Sequence, residues 1–375
     1  MSQEIAGLAQ PRFGAAKDAF AANLAEGLEL GARFTLVEAG ETVLDLWAGF
    51  ADRARTRAFD ASTLTPVFSV TKAVTALIMA RLVDQGRLNY EQPVAAVWPE
   101  FGAAGKAAIT VGQMLSHQAG LPGFPEPMDP VDWFDWNVIT ARLAAMAPLW
   151  PPGTASGYHP ITVGYLAGEV FRRVDGRTVG QALREDIAGP HGLDVWIGLP
   201  DSEHARVAEV QRPPALPDFG EINPATTAAF LTKWSSAAGR GQDEWRRMEV
   251  PSTSGHATAE ALARLMGVMA DDGRLGDDQV LRPATVALAS AERIRGGDLV
   301  LPYEMSWAAG FMRNAPTHPW GPGDATVGHS GWGGACVFAD PDRRLSGAYV
   351  MNRQSPILMG DPRPCRLIQA AYARL

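Results

Sequence analysis

Phe68-Ser69-Val70-Thr71-Lys72-Ala73-Val74-Thr75-Ala76-Leu77-Ile78-Met79-Ala80-Arg81-Leu82 is the stretch on which the fold turns. Its length and apolar content predict a helix over residues 67–82, closed by Asp84-Gln85-Gly86 with glycine as the stop signal. No charged residue occurs from Ala73 to Ala80, so this helix is expected to be buried on all sides. A lysine at the head of such a helix is costly unless it is paired or used. Lys72 follows Ser69 by three positions, on the same helical face, so its amine can reach the serine hydroxyl one turn earlier. Desolvation would lower its pKa toward the range of a general base. A serine at a helix N-terminus also sits beside free backbone N–H groups and the positive end of the dipole, which favour a developing oxyanion. With 15 serines and 4 lysines in 375 residues, roughly 0.16 accidental Ser-x-x-Lys matches are expected. The tetrad alone therefore leaves open a plain N-cap serine beside a solvated lysine.

Working outward, residues 12–27 carry helical spacing through Phe13, Ala16, Phe20 and Leu24. Two β-rich runs follow, Arg33–Glu38 and Thr42–Gly49, separated by Ala39-Gly40-Glu41 as in a hairpin. From about residue 90 to 290 the pattern is helices and Pro/Gly-rich loops, and Ser254-Gly255-His256 reads as the opening of a helix. Strands return at Trp307–Met312, Gly334–Ala339 and Leu345–Asn352, before a last helix over Cys365–Arg374. Strands at both ends around a helical middle imply an antiparallel sheet built from sequence-distant segments and flanked by the terminal helices. The fold class is thus α+β. An α/β domain with antiparallel sheet is expected from residues 1–74 and 295–375, and a mostly helical inserted domain from 75–294, with the active site at their interface.

Composition removes several function classes. Hydrophobic residues make up 46% and charged residues 20%, which excludes a disordered chain. A net charge of −8 leaves no basic stripe for phosphates, so nucleic acid is not expected as a partner. No run of about 18 uncharged apolar residues occurs, and the first 20 residues have no basic region followed by an apolar one. The expectation is a cytoplasmic protein without membrane contact. Cys336 and Cys365 lack C-x-x-C spacing and read as buried apolar thiols; the seven histidines form no H-E-x-x-H, so no metal site is expected.

Five landmarks occur in order: Phe68-Ser69-Val70-Thr71-Lys72; Leu115-Ser116-His117-Gln118-Ala119-Gly120-Leu121; Pro151-Pro152-Gly153-Thr154 leading into Gly157-Tyr158-His159; Gly328-His329-Ser330-Gly331-Trp332-Gly333-Gly334; and Asp340-Pro341. In these the chain resembles the class C β-lactamase-related serine hydrolases and penicillin-binding proteins, and among them the family VIII carboxylesterases. The resemblance covers nearly the whole chain. It implies that Tyr158 takes the place of the tyrosine in the family's Tyr-x-Asn motif, as a proton relay to the leaving group. An adjacent ammonium would bring this phenol nearer working pH, although a packed loop aromatic is the alternative. It further implies that His329-Ser330-Gly331 stands for Lys-Thr-Gly on the strand lining the cleft. Gly331 would then permit close backbone approach by substrate, and the N–H groups of Trp332 and Ser69 would form the oxyanion hole. His329 could orient the leaving group or bond Tyr158, and His159 would be a pocket or packing neighbour. Two positions depart from the pattern: Pro160 replaces the Asn of Tyr-x-Asn, and His329 replaces the Lys of Lys-Thr-Gly.

The G-x-S-x-G elbow of α/β-hydrolases is excluded, because Trp332 stands where its second glycine belongs and no histidine follows His329. Trp133, Phe134, Trp136 and Trp150 could wall an acyl or alcohol pocket or simply pack a core. The expected activity is a serine carboxylesterase acting on small-molecule, short-chain esters through a Ser69 acyl-enzyme, with no cofactor and with the oligomeric state left open. An acyltransferase, or an amide hydrolase such as a β-lactamase or D-amino-acid peptidase, would use the same residues. A non-catalytic binding protein of the same fold is the rival from another class.

Overall fold

The computed structural model describes residues 4–233, 235–236, 242–316 and 320–374. Nine strands build the principal sheet: β1 (Ala6–Ala9), β2 (Gly31–Glu38), β3 (Glu41–Gly49), β4 (Ile294–Gly297), β5 (Glu304–Trp307), β6 (Met312–Arg313), β7 (Val327–Ser330), β8 (Cys336–Asp340) and β9 (Leu345–Met351). Their spatial order is β1-β3-β2-β9-β8-β7-β6-β5-β4, with every neighbouring pair antiparallel. The join between the two ends of the chain is β2 against β9, from Glu38 opposite Leu345 to Ala32 opposite Met351. Both strands are buried throughout nearly all their length, as the centre of a sheet covered on two faces demands, and the polar Arg33 and Thr35 of β2 are satisfied there by Asp45 of β3.

Alternation along β9 fixes which layer covers which face. Ser346 donates through Oγ to the Ala263 carbonyl of α4 (Ala259–Ala270), on one face. Gly347, the next residue, packs with Phe338, whose ring meets Tyr372 of α5 (Pro362–Tyr372) on the other. Helix α1 (Gly14–Ala25) lies beside α5 on that second face. The layer order is two terminal helices, sheet, then α4, although α4 comes from the stretch 75–294. Helix α2 (Thr71–Asp84) is buried from Thr71 through Ala80, on all sides as its sequence requires. Helix α3 (Thr162–Asp175) packs against it from the helical side.

Three local expectations are corrected. Residues 68–70 form a 3-10 turn ahead of α2 rather than its first turn. Trp307–Met312 is a tight reversal between β5 and β6, because Gly310 takes φ +86° and the Ala308 N–H bonds the Phe311 carbonyl. Gly255–Ala257 is a strand, paired with Thr65–Pro66 and Val195–Ile197, and α4 begins only after the Thr258 cap. Among the described residues no helix is long and apolar enough to cross a membrane.

Candidate active site

Ser69 occupies the 3-10 turn Phe68–Val70, and the residue before it is held in a left-handed conformation, Phe68 at φ +47°. Such backbone costs about 1–3 kcal/mol in a non-glycine residue and persists only where the surroundings impose it. Here Thr71 does so: its Oγ1 donates to the Phe68 carbonyl at 2.5 Å and accepts the Gly255 N–H at 2.9 Å. The strained turn leaves Ser69 partly exposed at the mouth of an otherwise closed helix.

The structure brings Ser69, Lys72 and Tyr158 into one contact. Lys72 Nζ lies 3.0 Å from Ser69 Oγ, and Tyr158 Oη donates to the same oxygen at 2.7 Å. Lys72 also donates to the Pro160 carbonyl at 2.7 Å and to the Ser252 carbonyl at 3.0 Å. Burial drives the Lys72 amine well below the ordinary lysine value. With its proton held less tightly, the amine can take the serine proton while its other N–H groups stay on the two carbonyls. Tyr158 O–H and Lys72 N–H thus both meet Ser69 Oγ, and the lowered proton affinity of the amine is what lets the serine proton pass to it.

Tyr158 departs from expectation. Burial pushes its phenol up, and the Ser69 hydrogen bond opposes this only in part. Of the phenolate and the phenol that could relay a proton here, the geometry favours the phenol, a donor to Ser69 Oγ: desolvation raises the Tyr158 pKa and lowers that of Lys72, against the effect expected of an adjacent ammonium.

The other anticipated residues separate into near and remote. Gly331 follows β7 directly, and a Cβ there would lie 2.5 Å from the Val67 carbonyl, so its glycine serves approach to the serine-bearing turn rather than to substrate. Trp332 follows on the turn closed by Gly331 N–H to Ala335 O and Gly334 N–H to Gly331 O. His329 is fully enclosed, donating from Nδ1 to the Ser330 carbonyl at 2.7 Å, with its ring 6.2 Å from that of Tyr158. It makes ring contact with Tyr158 in place of the hydrogen bond considered above. His159 points away from chemistry: Nδ1 donates to Gly157 O at 2.5 Å, Nε2 accepts from Leu121 N–H at 2.9 Å, and burial pushes its pKa down to about 3. Both ring nitrogens are taken by backbone, so His159 packs.

Sequence reading missed five contributors. Asp298 accepts five hydrogen bonds: from the N–H groups of Tyr158 (2.8 Å), Val300 and Leu301 (3.0 Å each), from Ser156 Oγ (3.0 Å), and from the Trp307 indole (3.3 Å). Its burial raises the carboxyl pKa, against those donors. The Ser252 carbonyl and the Pro160 carbonyl are backbone groups, invisible to any side-chain motif. Phe219 and Phe230 complete an aromatic series with Tyr158 and Trp332. Of the two readings of the aromatic cluster, the contacts match core packing: Trp133 and Trp136 lie against Tyr165, and Trp150 against His159. Cys336 is buried and Cys365 half-buried, both as free thiols, so the second lies nearer the surface than expected. Among the described residues no group of three or more His, Cys, Asp or Glu is placed to hold a metal ion.

Comparison with known proteins extends this picture. A family model described as beta-lactamase matches residues 17–371. The esterase/beta-lactamase LipL of Mycobacterium tuberculosis is 33% identical over 96% of this chain and 86% of its own length. A solved penicillin-binding protein homolog from Caulobacter crescentus is 62% identical, with a TM-score of 0.97 over 99% of this chain and 100% of that one. A solved family VIII carboxylesterase is 40% identical, with a TM-score of 0.93 and coverage of 99% and 100%.

Proposed function

Because this chain belongs to the beta-lactamase family and is a serine hydrolase, we propose that it is a carboxylesterase that hydrolyses small esters of short acids through an acyl-enzyme on Ser69. The observation that carries the reading is the three-way contact of Ser69 Oγ with Lys72 Nζ at 3.0 Å and Tyr158 Oη at 2.7 Å. Ser69 Oγ attacks the ester carbonyl while the neutral amine of Lys72 takes its proton. The carbonyl oxygen gathers charge opposite the N–H groups of Ser69 and Trp332. As the tetrahedral intermediate collapses, Tyr158 gives its proton to the leaving alkoxide and is reprotonated from the Lys72 ammonium, whose Nζ lies 4.8 Å from the phenol ring centroid. Water then repeats the sequence against the acyl-enzyme and releases the acid.

Two positions favour esters over β-lactams. Pro160 has neither side-chain donor nor N–H, and its carbonyl is committed to Lys72. His329 is enclosed at the place where an exposed lysine would meet a lactam carboxylate. Losing one charge-assisted and one neutral hydrogen bond costs roughly 2–4 kcal/mol, or about 30- to 1000-fold. A fluorophosphonate should label Ser69, and Ser69→Ala should abolish both labelling and turnover of 4-nitrophenyl acetate. Turnover retained in Ser69→Ala removes the nucleophile assignment. Equal or greater kcat/KM on nitrocefin than on 4-nitrophenyl butyrate makes the protein a lactamase instead.

A further inference from the structure

We propose that the aromatic wall formed by Tyr158, Phe230, Phe219 and Trp332 binds an aryl group of the substrate, carried on the acid or on the alcohol of the ester; this rests on the esterase reading above and narrows its substrate class. The Tyr158 and Phe230 rings are stacked with centroids 6.5 Å apart and planes at 30°. Phe230 stacks in turn on Phe219 at 4.8 Å and 28°. Both phenylalanines reach the indole of Trp332, at 6.3 and 6.4 Å.

The two ends of this wall lie at the chemistry. Tyr158 Oη donates to Ser69 Oγ, and Trp332 follows Gly331, whose backbone abuts the Val67 carbonyl two residues before Ser69. An ester carbonyl poised between the proton donor and the turn of Trp332 therefore lies alongside the phenylalanine pair.

The middle of the wall is held in place by the segment that also positions Tyr158. Asn223 Nδ2 donates to the Leu299 carbonyl at 2.9 Å, and Thr226 Oγ1 to the Val300 carbonyl at 3.4 Å, beside Asp298. Phe230 then falls in a π-helical turn, Thr227–Leu231, a wide turn that recurs at functional sites. Phe230 and Trp332 keep part of their surface open, whereas Trp307, whose ring stacks on that of Tyr158 at 5.8 Å, is 0% exposed. On the same segment Ile222 and Leu231 are 51% and 41% exposed, giving an apolar lip.

A flat π-system gains from offset or edge contact with such a wall by a factor of about 2 to 12 beyond the area it buries. A saturated ring of the same size gains the area alone. The discriminating comparison is thus aryl against cyclohexyl at equal size and equal leaving-group chemistry.

Two pairs of esters supply it: 4-nitrophenyl phenylacetate against 4-nitrophenyl cyclohexylacetate, which vary the acid, and benzyl acetate against cyclohexylmethyl acetate, which vary the alcohol. The expected result is an aryl preference of at least about twofold in kcat/KM in one pair, expressed mainly in KM, with the responding pair identifying the side of the ester that meets the wall. In Phe219→Leu/Phe230→Leu the preference should fall below about twofold. Each preference is a ratio within one preparation, so a reduced fraction of folded variant leaves it unchanged. An aryl preference below twofold in both pairs overturns the inference, as does a preference that survives the double substitution. If 4-nitrophenyl acetate is turned over and no aryl preference is found, only this inference falls; if no ester is turned over at all, the esterase reading falls with it.

Discussion

Replacing Asp298 separates the residue that holds Tyr158 from the residues that perform chemistry. Its Oδ1 accepts three backbone N–H groups, those of Tyr158, Val300 and Leu301, while Oδ2 accepts Ser156 Oγ and the Trp307 indole. Asp298→Ala strands all five donors. Each buried donor left unpaired costs about 1–3 kcal/mol, but water entering the vacated space will satisfy several, so a net loss of roughly 3–5 kcal/mol is expected. Unfolding entropy of about 2 cal/mol/K per residue converts this, for 375 residues, to a Tm fall of roughly 4–6 °C. Without its anchor the Tyr158 backbone is free to shift, and a displacement of about 1 Å costs on the order of a hundredfold in kcat. Asp298→Asn keeps an oxygen for the three N–H groups. Its amide confronts one indole N–H, while the Ser156 hydroxyl can rotate to accept, so a loss of about 1–2 kcal/mol and a kcat within about threefold are expected. Thermal unfolding and steady-state kinetics with 4-nitrophenyl butyrate on both variants decide it. A folded Asp298→Ala with kcat within threefold of the parent refutes the anchoring role, and so does an Asp298→Asn as impaired as Asp298→Ala.

The remaining predictions follow from the same site. Lys72→Ala and Tyr158→Phe should each lower kcat at least about a hundredfold; single-turnover assays showing smaller losses would remove either residue from proton transfer. The kcat/KM profile should fall on the acid side as Lys72 gains a proton, with a midpoint well below the ordinary lysine value of 10.5, and hold its plateau into the alkaline range because burial keeps the Tyr158 proton in place; a profile still climbing toward pH 10.5 contradicts a neutral amine. Since the folded-state pKa of Lys72 is depressed, the unfolded chain binds more protons between that value and 10.5, and stability rises with pH across this window. Lys72→Met, which removes the titration, should unfold at or above the parent's Tm at neutral pH while losing turnover; a lower Tm would mean that the amine's two carbonyl bonds outweigh its desolvation. Chelators and iodoacetamide at pH 7.5 should leave ester turnover unchanged, because burial pushes the Cys336 thiol well up and that of Cys365 up to about 11. Inhibition by EDTA that zinc reverses would show a metal requirement.

Local chemistry was legible in the sequence wherever it depends on near neighbours. Ser69 and Lys72 lie one helical turn apart, so their adjacency follows from helix geometry alone, and the uncharged run Ala73–Ala80 foretells the burial that α2 shows. The β-rich runs around Ala39-Gly40-Glu41 and the last two strands were legible through their composition, whereas Trp307–Met312 proved a reversal, and the ordered landmarks gave Tyr158 its place beside them. Tertiary structure alone decided the protonation pattern and the supports. The Pro160 and Ser252 carbonyls reach Lys72 from 88 and 180 residues away, and Asp298 reaches the Tyr158 N–H across 140. The two carbonyls carry no side-chain signature, Asp298 stands in no motif with Tyr158, and desolvation is the summed effect of every element packed around a group. A sequence can therefore announce that a lysine and a tyrosine meet a serine, while the packing of distant segments determines that burial loosens the lysine's hold on its proton and tightens the tyrosine's.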